Sequence, residues 1–317
     1  MKHISALALI AAVALPARGL AQHEHMAMHA AAPMSARDSA ELRAQIEAVR
    51  AATARYRDHA NAVRDGYRLF GQEGPLMGEH WYRPDLVRQP LDLRHPSTLQ
   101  YASIGGRKVL VGVAYTVYRR PGEPVPEGFA GADDHWHTHD IARLAEAATS
   151  ERPFIHWLVQ RRIERGKVGP GGGRTLLTMV HAWIWSDNPE GMFAMRQLAL
   201  PYLRAGLPAA WASGDEASAQ GVELLVPGAC VAEVGRTDKL ARLDEGQERL
   251  LASACEQETA QVRAALARRR DASTINAAAA RAWTGYEAAR ARILTGDQLA
   301  RMQRIMSAVV EHEMMGM

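Results

Sequence analysis

The sequence predicts an α+β protein with a long N-terminal helix, a small, mostly antiparallel sheet with long loops, and C-terminal helical hairpins. Apolar residues that recur at alternating steps of three and four between residues 42 and 67 predict the long helix. The runs at 108–120 and 174–185 are rich in β-branched and aromatic residues and are bounded by turn residues, which predicts strands. From about residue 238 the composition becomes rich in Ala, Arg, Glu and Gln, which predicts the hairpins.

Residues 1–21 have the pattern of an export signal. Lys2 supplies a positive start, an apolar run follows at 4–15, and small residues precede Gln22. The run is too short to predict a membrane span. We therefore expect a periplasmic protein whose mature chain begins near Gln22 and has no membrane span.

The remaining chain divides into three segments by composition. Residues 22–37 carry His, Met and Ala without periodicity and predict a flexible arm. Residues 38–237 hold the long helix, which Asp38 and Glu41 are expected to cap and which ends near Gly66, followed by the β-rich part with a short helix at 150–165. Residues 238–317 form a helical tail of three predicted helices.

Charge argues against nucleic acid as a partner. Loss of Lys2 and Arg18 with the signal takes the formal net charge from +3 to +1, with acidic and basic residues interspersed. A nucleic-acid-binding domain would be expected to carry a concentrated basic surface.

The two cysteines, Cys230 and Cys255, predict a disulfide. In an oxidising compartment, two cysteines with no other thiol in the chain are expected to pair. Two separate buried thiols are the alternative.

The heptapeptide DHWHTHD at 134–140 places an imidazole at every second position. If the segment is extended, His135, His137 and His139 project from one face. If it is helical, His135 and His139 still share a face, because they are four residues apart. Three imidazoles on one face suit a transition metal such as zinc or copper.

Two further histidines are candidate ligands in the same site. His181 lies within the predicted strand 174–185, and His80 lies in the segment EHW. Nearby acids could orient the rings by accepting their second N–H, and the candidates are Glu79, Asp134 and Asp140. The alternative is an exposed strand that binds no metal.

Both chain ends add soft ligands. The final residues read HEMMGM, and the N-terminal arm contributes His23, His25, Met26, Met28 and His29. Thioether sulfur favours Cu(I), whereas imidazole accepts Cu(II) or Zn(II), so copper and zinc both stay open.

Two pentapeptides in the tail repeat a helix-start pattern 51 residues apart. The segments 243–247 (LDEGQ) and 294–298 (LTGDQ) each place a capping residue three positions before a Gln. They resemble the duplicated Leu-Thr-x-x-Gln signature of the CpxP/Spy-like periplasmic stress proteins, which are related to metal-resistance sensors. The departure is Asp244, where that signature has Thr. The resemblance covers 238–317 and implies a helical tail, unfolded envelope proteins or metal as partners, and a homodimer.

The middle region resembles a group of uncharacterised exported bacterial proteins that share the stretches EHW, HWHTHD and HAWIW. This resemblance implies no reaction. No phosphate-binding loop or nucleophile elbow is evident, since GPGGGR at 169–174 lacks a following Lys-Ser/Thr and precedes a strand.

Three functions are consistent with these patterns. The first is a periplasmic protein that binds copper or zinc and acts in metal or envelope stress. The second is a chaperone-like stress protein that acts through its helical tail. The third is a metal-dependent oxidoreductase or hydrolase, which needs an open coordination position on the metal and whose catalytic residues the sequence leaves unassigned.

Overall fold

A computed structural model describes residues 34–131, 134–167, 175–268 and 271–309. The architecture is α+β, as predicted. Within these ranges, no helix has both the length and the apolar character needed to cross a bilayer. The expected export signal, nearly all of the His/Met arm with its candidate ligands, and the terminal HEMMGM lie outside the described residues.

The predicted N-terminal helix is divided into α1 (Ala36–Thr53) and α2 (His59–Arg64), with a 3₁₀ turn at Ala54–Arg57 between them. The predicted long helix is thus present as α1, but it ends at Thr53 rather than near Gly66. The carboxylate of Asp58 accepts a hydrogen bond from the backbone N–H of Ala60 and starts α2 as a new helix. Local side-chain bonding of this kind competes with helix continuation, and an apolar period does not reveal it.

The cap of α1 also differs from the prediction. Ser35, rather than Asp38, is the N-cap, and its hydroxyl accepts a hydrogen bond from the backbone N–H of Asp38. The Ser35 hydroxyl in turn donates to the Asp38 carboxylate. The helix therefore begins three residues earlier than expected.

In the part of the chain that the structure describes, six strands form one sheet in which every neighbouring pair is antiparallel. The strands are β1 (Arg68–Gly74), β2 (Gly78–Tyr82), β3 (Thr98–Ile104), β4 (Arg107–Arg119), β5 (His137–Asp140) and β6 (Leu176–Ala182). Their order is β1-β2-β3-β4-β6-β5. The runs predicted as strands at 108–120 and 174–185 correspond to β4 and β6, and β6 lies between β4 and β5.

Helices α3 (Ile141–Thr149) and α4 (Pro153–Glu164) connect β5 to β6. The short helix predicted at 150–165 is α4, whereas α3 was not predicted. The carboxylate of Asp140 accepts a hydrogen bond from the backbone N–H of Arg143 and caps α3. The chain therefore changes from strand to helix directly after the histidine-rich segment.

One face of the sheet packs against the N-terminal helices. Ile46 and Val49 of α1 share a buried core with Tyr101, Tyr115 and Val180 from three strands. The hydroxyl of Tyr101 donates to the backbone carbonyl of Tyr56 at 2.6 Å. This face therefore forms an apolar core between the sheet and the N-terminal helices.

The C-terminal part is helical, as predicted. Short helices α5 (Leu200–Arg204) and α6 (Glu216–Glu223) precede α7 (Ala229–Ala241), α8 (Glu245–Arg268), α9 (Ala272–Ile293) and α10 (Gly296–Val309). A disulfide between Cys230 and Cys255 joins α7 to α8 and confirms the predicted pairing. Leu144 of α3 lies in the same apolar core as Leu251 and Ile305, so the tail packs against the sheet-connecting helices.

The two tail pentapeptides form one symmetrical hydrogen-bonded unit. Gln247 accepts from the backbone N–H of Asp244, and Gln298 accepts from that of Thr295. The two Gln side chains also exchange amide hydrogen bonds of 2.8 Å in both directions. The N-terminal ends of α8 and α10 are thus hydrogen-bonded to each other through Gln247 and Gln298.

Candidate metal centre

Four histidines from three strands project from the sheet face opposite the N-terminal helices. They are His80 on β2, His181 on β6, and His137 and His139 on β5. The register pairs His80 with Gln100, His181 with Ala114, and His137 with Met179. Because side chains alternate between faces, these pairings place all four imidazoles on the same face. We call them the histidine cluster.

The four rings form one continuous group. The ring centroid of His137 lies 5.0 Å from that of His181 and 5.1 Å from that of His139. The centroid of His80 lies 5.5 Å from that of His181. His181 is therefore the central member, with β5 on one side and β2 on the other.

Small residues on β4, one of the two strands between β2 and β6, allow His80 to approach His181. Strands β3 and β4 separate β2 from β6, and adjacent strands are about 4.8 Å apart. On β4 the positions facing the cluster are Gly112 and Ala114. A Cβ at Gly112 would lie 3.0 Å from Oε1 of Gln100 and 2.9 Å from the Trp183 ring, so the absence of a side chain there leaves room for both groups.

Burial keeps His80, His137 and His181 neutral at neutral pH. His181, His137 and His139 are 0%, 5% and 8% exposed, while His80 remains partly accessible. Burial lowers the pKa of His181 to about 3 and that of His80 to about 4, and it lowers the pKa of His137 well below its usual value. Repulsion among the rings acts in the same direction. Neutral imidazole is the form that binds metal.

The hydrogen-bonding of His181 directs one nitrogen into the cluster. Its Nδ1 lies 2.8 Å from the backbone carbonyl of Met195, and because a carbonyl can only accept, the hydrogen must lie on Nδ1. Nε2 then carries a lone pair. A ligand histidine typically shows this arrangement, with its second nitrogen held by a carbonyl.

Three buried polar atoms at the cluster have no hydrogen-bond partner among the residues that the structure describes. They are Nε2 of His181, Nδ1 of His137 and Oε1 of Gln100. Leaving such an atom unsatisfied costs about 1–3 kcal/mol. The Gln100 side chain lies next to His80, with 3.5 Å between the two Nε2 atoms. The cluster thus brings together three buried polar atoms that lack partners among the described residues.

The other predicted site residues lie elsewhere. His135 is exposed and precedes β5, so the alternation that unites His137 and His139 does not extend to it. Glu79 is on the opposite face, where its carboxylate accepts from Trp81 Nε1 at 2.9 Å and contacts Lys108 Nζ at 2.6 Å. Its position beside His80 in sequence puts it on the wrong face to orient that ring.

The two remaining acids have structural roles. One carboxylate oxygen of Asp134 accepts from the backbone N–H of Phe129 and from Trp136 Nε1, each at 3.1 Å. Asp140 caps α3. Sequence reasoning missed Gln100 and the carbonyl of Met195 as partners of the histidines. The position of Gln100 within the otherwise apolar run TLQYASI could have indicated its role. The carbonyl of Met195 could not have been predicted, because every residue has a backbone carbonyl.

As the side chains stand, no set of three or more His, Cys, Asp or Glu residues in the described ranges meets the geometry of a metal site. No protein-family model matches the chain, and no curated protein or solved structure matches it. The candidate site therefore depends on the placement and chemistry of the cluster itself.

Proposed function

We propose that the histidine cluster binds a transition-metal ion, copper or zinc, and that the protein handles this ion in the periplasm. The observation that carries the proposal is the unpartnered Nε2 of His181, a buried lone pair held toward neighbouring neutral imidazoles by the Met195 carbonyl. A bound ion would satisfy this lone pair together with that on His137 Nδ1. Imidazole is a preferred ligand of both metals.

The spacing of the rings is compatible with a shared ion. Around a tetrahedral ion with metal–nitrogen distances of about 2.0–2.1 Å, imidazole centroids lie roughly 5 Å apart. The separations between neighbouring rings of the cluster are 5.0, 5.1 and 5.5 Å. Binding would require the rings to rotate so that their nitrogens face one point.

The first experiment measures metal retention by elemental analysis and titration with Zn(II) and Cu(II). We expect about one ion per chain for the parent protein. Replacing His137 and His139 together by Ala should abolish binding. The matched control is His135→Ala, which removes an exposed imidazole from the same segment and should leave binding unchanged.

Circular dichroism separates loss of the site from loss of the fold. His181→Gln serves as a second variant, because glutamine preserves much of the side-chain volume but removes the nitrogen lone pair. A folded double variant or His181→Gln variant that retains the parental metal content would refute the proposal.

Whether the site stores the ion or uses it in a reaction depends on its coordination. The partial exposure of His80 gives solvent a route to one side of the cluster. In an oxidoreductase or hydrolase the metal would keep an exchangeable water. Azide would then shift the visible spectrum of the Co(II)- or Cu(II)-loaded protein, whereas an unchanged spectrum indicates storage or sensing.

The tail supports a second candidate function, that of a chaperone-like stress protein. The supporting observation is the reciprocal bonding of Gln247 and Gln298, which links the two segments that resemble the CpxP/Spy-like signature. The test is suppression of light scattering by a reduced, aggregating client, with the whole chain because the tail shares a core with α3. Equal scattering with and without the protein would exclude this function.

A further inference from the structure

Helix α4 presents a row of large apolar side chains to solvent. It contains no buried residue, and Phe154, Trp157 and Leu158 are 68%, 49% and 38% exposed. Their spacing of three and four places them in one stripe along the helix. The Phe154 and Trp157 rings stack with centroids 6.1 Å apart. We call these three residues the outer stripe.

A different side of α4 packs against the rest of the protein. Ile155, Val159 and Ile163 are partly buried and lie on the other side of the helix, where α4 contacts α3. The helix therefore has two apolar sides, and only one of them is used for internal packing. Clustered exposed apolar side chains of this size typically mark an interaction surface.

Basic residues accompany the outer stripe. Residues 152–167 contain five Arg or Lys and one acidic residue, Glu164. The guanidinium of Arg161, one turn after Trp157, lies 5.4 Å from the centroid of its ring. The positive charge thus lies along the same side of the helix as the aromatic rings.

The acid just before the helix is already neutralised. Glu151 forms ion pairs with Arg301 and Arg304 at 2.6 Å each, and with Arg242 at 3.2 Å. It therefore does not offset the charge of Arg161 and Arg162. A partner of this surface must offer both an apolar phase and negative charge.

We propose that α4 is a docking element for an anionic lipid surface. Phe154, Trp157 and Leu158 would enter the boundary between headgroups and acyl chains, while Arg161 and Arg162 contact phosphates. An amphipathic helix with aromatic residues on one side and arginines beside them binds membranes in this way. Tryptophan favours the interfacial depth, and each basic residue near an anionic surface adds to the attraction. This proposal is independent of the metal site.

The experiment is co-sedimentation with vesicles. One set contains phosphatidylglycerol and phosphatidylethanolamine in equal parts, and the other contains phosphatidylcholine alone. The aromatic variant combines Phe154→Ser with Trp157→Ser, and the charge variant combines Arg161→Glu with Arg162→Glu. The control combines Val231→Ser with Arg249→Glu, both exposed residues of other helices. All chains begin near Gln22, as expected of the mature protein, so any binding by the N-terminal arm is common to all of them.

We expect the parent and the control to bind the anionic vesicles equally, and more tightly than the phosphatidylcholine vesicles. The charge variant should bind the anionic vesicles at least about fivefold more weakly for each arginine replaced, with the difference shrinking at high salt. The aromatic variant should lose binding at least tenfold.

Three results would overturn the proposal. The first is equal vesicle binding by the parent and both α4 variants. The second is a parental dimer that the aromatic variant converts to a monomer in analytical ultracentrifugation, since the outer stripe would then be an interface between copies. The third is binding to soluble polyphosphate as tight as that to anionic vesicles, which would identify a polyanion site without a lipid component.

Discussion

Gln247 and Gln298, 51 residues apart in sequence, donate to each other through two amide hydrogen bonds of 2.8 Å. Each glutamine also donates to a backbone carbonyl near the other helix start. Gln247 donates to the carbonyl of Ile293, and Gln298 donates to that of Arg242. Each side-chain amide therefore bonds both to the start of its own helix and to a backbone carbonyl near the start of the other helix.

Loss of either glutamine should destabilise the tail. We expect Gln247→Ala to lower the free energy of unfolding by about 1–3 kcal/mol, because it removes both hydrogen bonds to Gln298 and leaves the backbone N–H of Asp244 without its side-chain acceptor. Urea denaturation measures the change. Gln261→Ala is the control, since Gln261 is exposed on the same helix and its side-chain amide donates to Glu258 on that helix. Equal effects of the two substitutions would contradict this account.

The disulfide should contribute substantially to stability. Cys230 and Cys255 are separated by 25 residues, and closing a loop of that length restricts the unfolded chain by about 3 kcal/mol in the chain-entropy estimate. Reduction should therefore lower the melting temperature. Melting curves with and without reductant measure the shift, and a Cys230→Ser/Cys255→Ser variant should show no response to reductant.

The histidine cluster should make the protein sensitive to mild acid. The folded pKa of His80 is about 4 and that of His181 about 3, whereas the unfolded values are near 6.5. Below pH 6.5 the unfolded chain takes up protons that the folded protein excludes, so stability is full above this pH and falls as pH decreases toward 4. The loss should be on the order of a few kcal/mol.

Denaturation at several pH values in the presence of a chelator tests this dependence without interference from bound metal. His181→Gln removes one buried titrating group, so its stability should vary less between pH 6.5 and 4. His135→Gln, at an exposed position outside the cluster, should retain the parental slope. A parental slope in His181→Gln would show that other groups cause the acid sensitivity.

Gly112 should be intolerant of even a methyl group. An added Cβ would lie 2.9 Å from the Trp183 ring and 3.0 Å from both the Ala182 carbonyl and Gln100 Oε1. We expect Gly112→Ala to cost about 1–3 kcal/mol through overpacking and to weaken any metal affinity by displacing Gln100 from its place beside His80.

The control for that substitution is Gly235→Ala. Gly235 lies within α7, and an added Cβ meets nothing within 4 Å. Because Ala is a better helix former than Gly, this variant should be neutral or more stable by up to about 1 kcal/mol. Thermal melts and Zn(II) titrations of the two variants would settle the comparison, and a parental melting temperature for Gly112→Ala would contradict the packing argument.

Local patterns determined most of the elements of this protein. The β-branched runs predicted β4 and β6, because period and turn residues are local properties, and the tail helices followed from composition in the same way. The lone cysteine pair was sufficient for the disulfide, since no other thiol competes. The alternation of side chains along a strand was enough to predict that His137 and His139 share a face. Strand β5 begins at His137 and therefore does not include His135.

Only the tertiary structure decided which groups surround those histidines. The insertion of β6 between β4 and β5 brings His181 beside His137, and the small side chains of Gly112 and Ala114 let His80 approach from β2. Strand register placed Gln100 opposite His80. Register and strand order arise from packing between segments far apart in sequence, so they leave no periodic signal in any one of those segments.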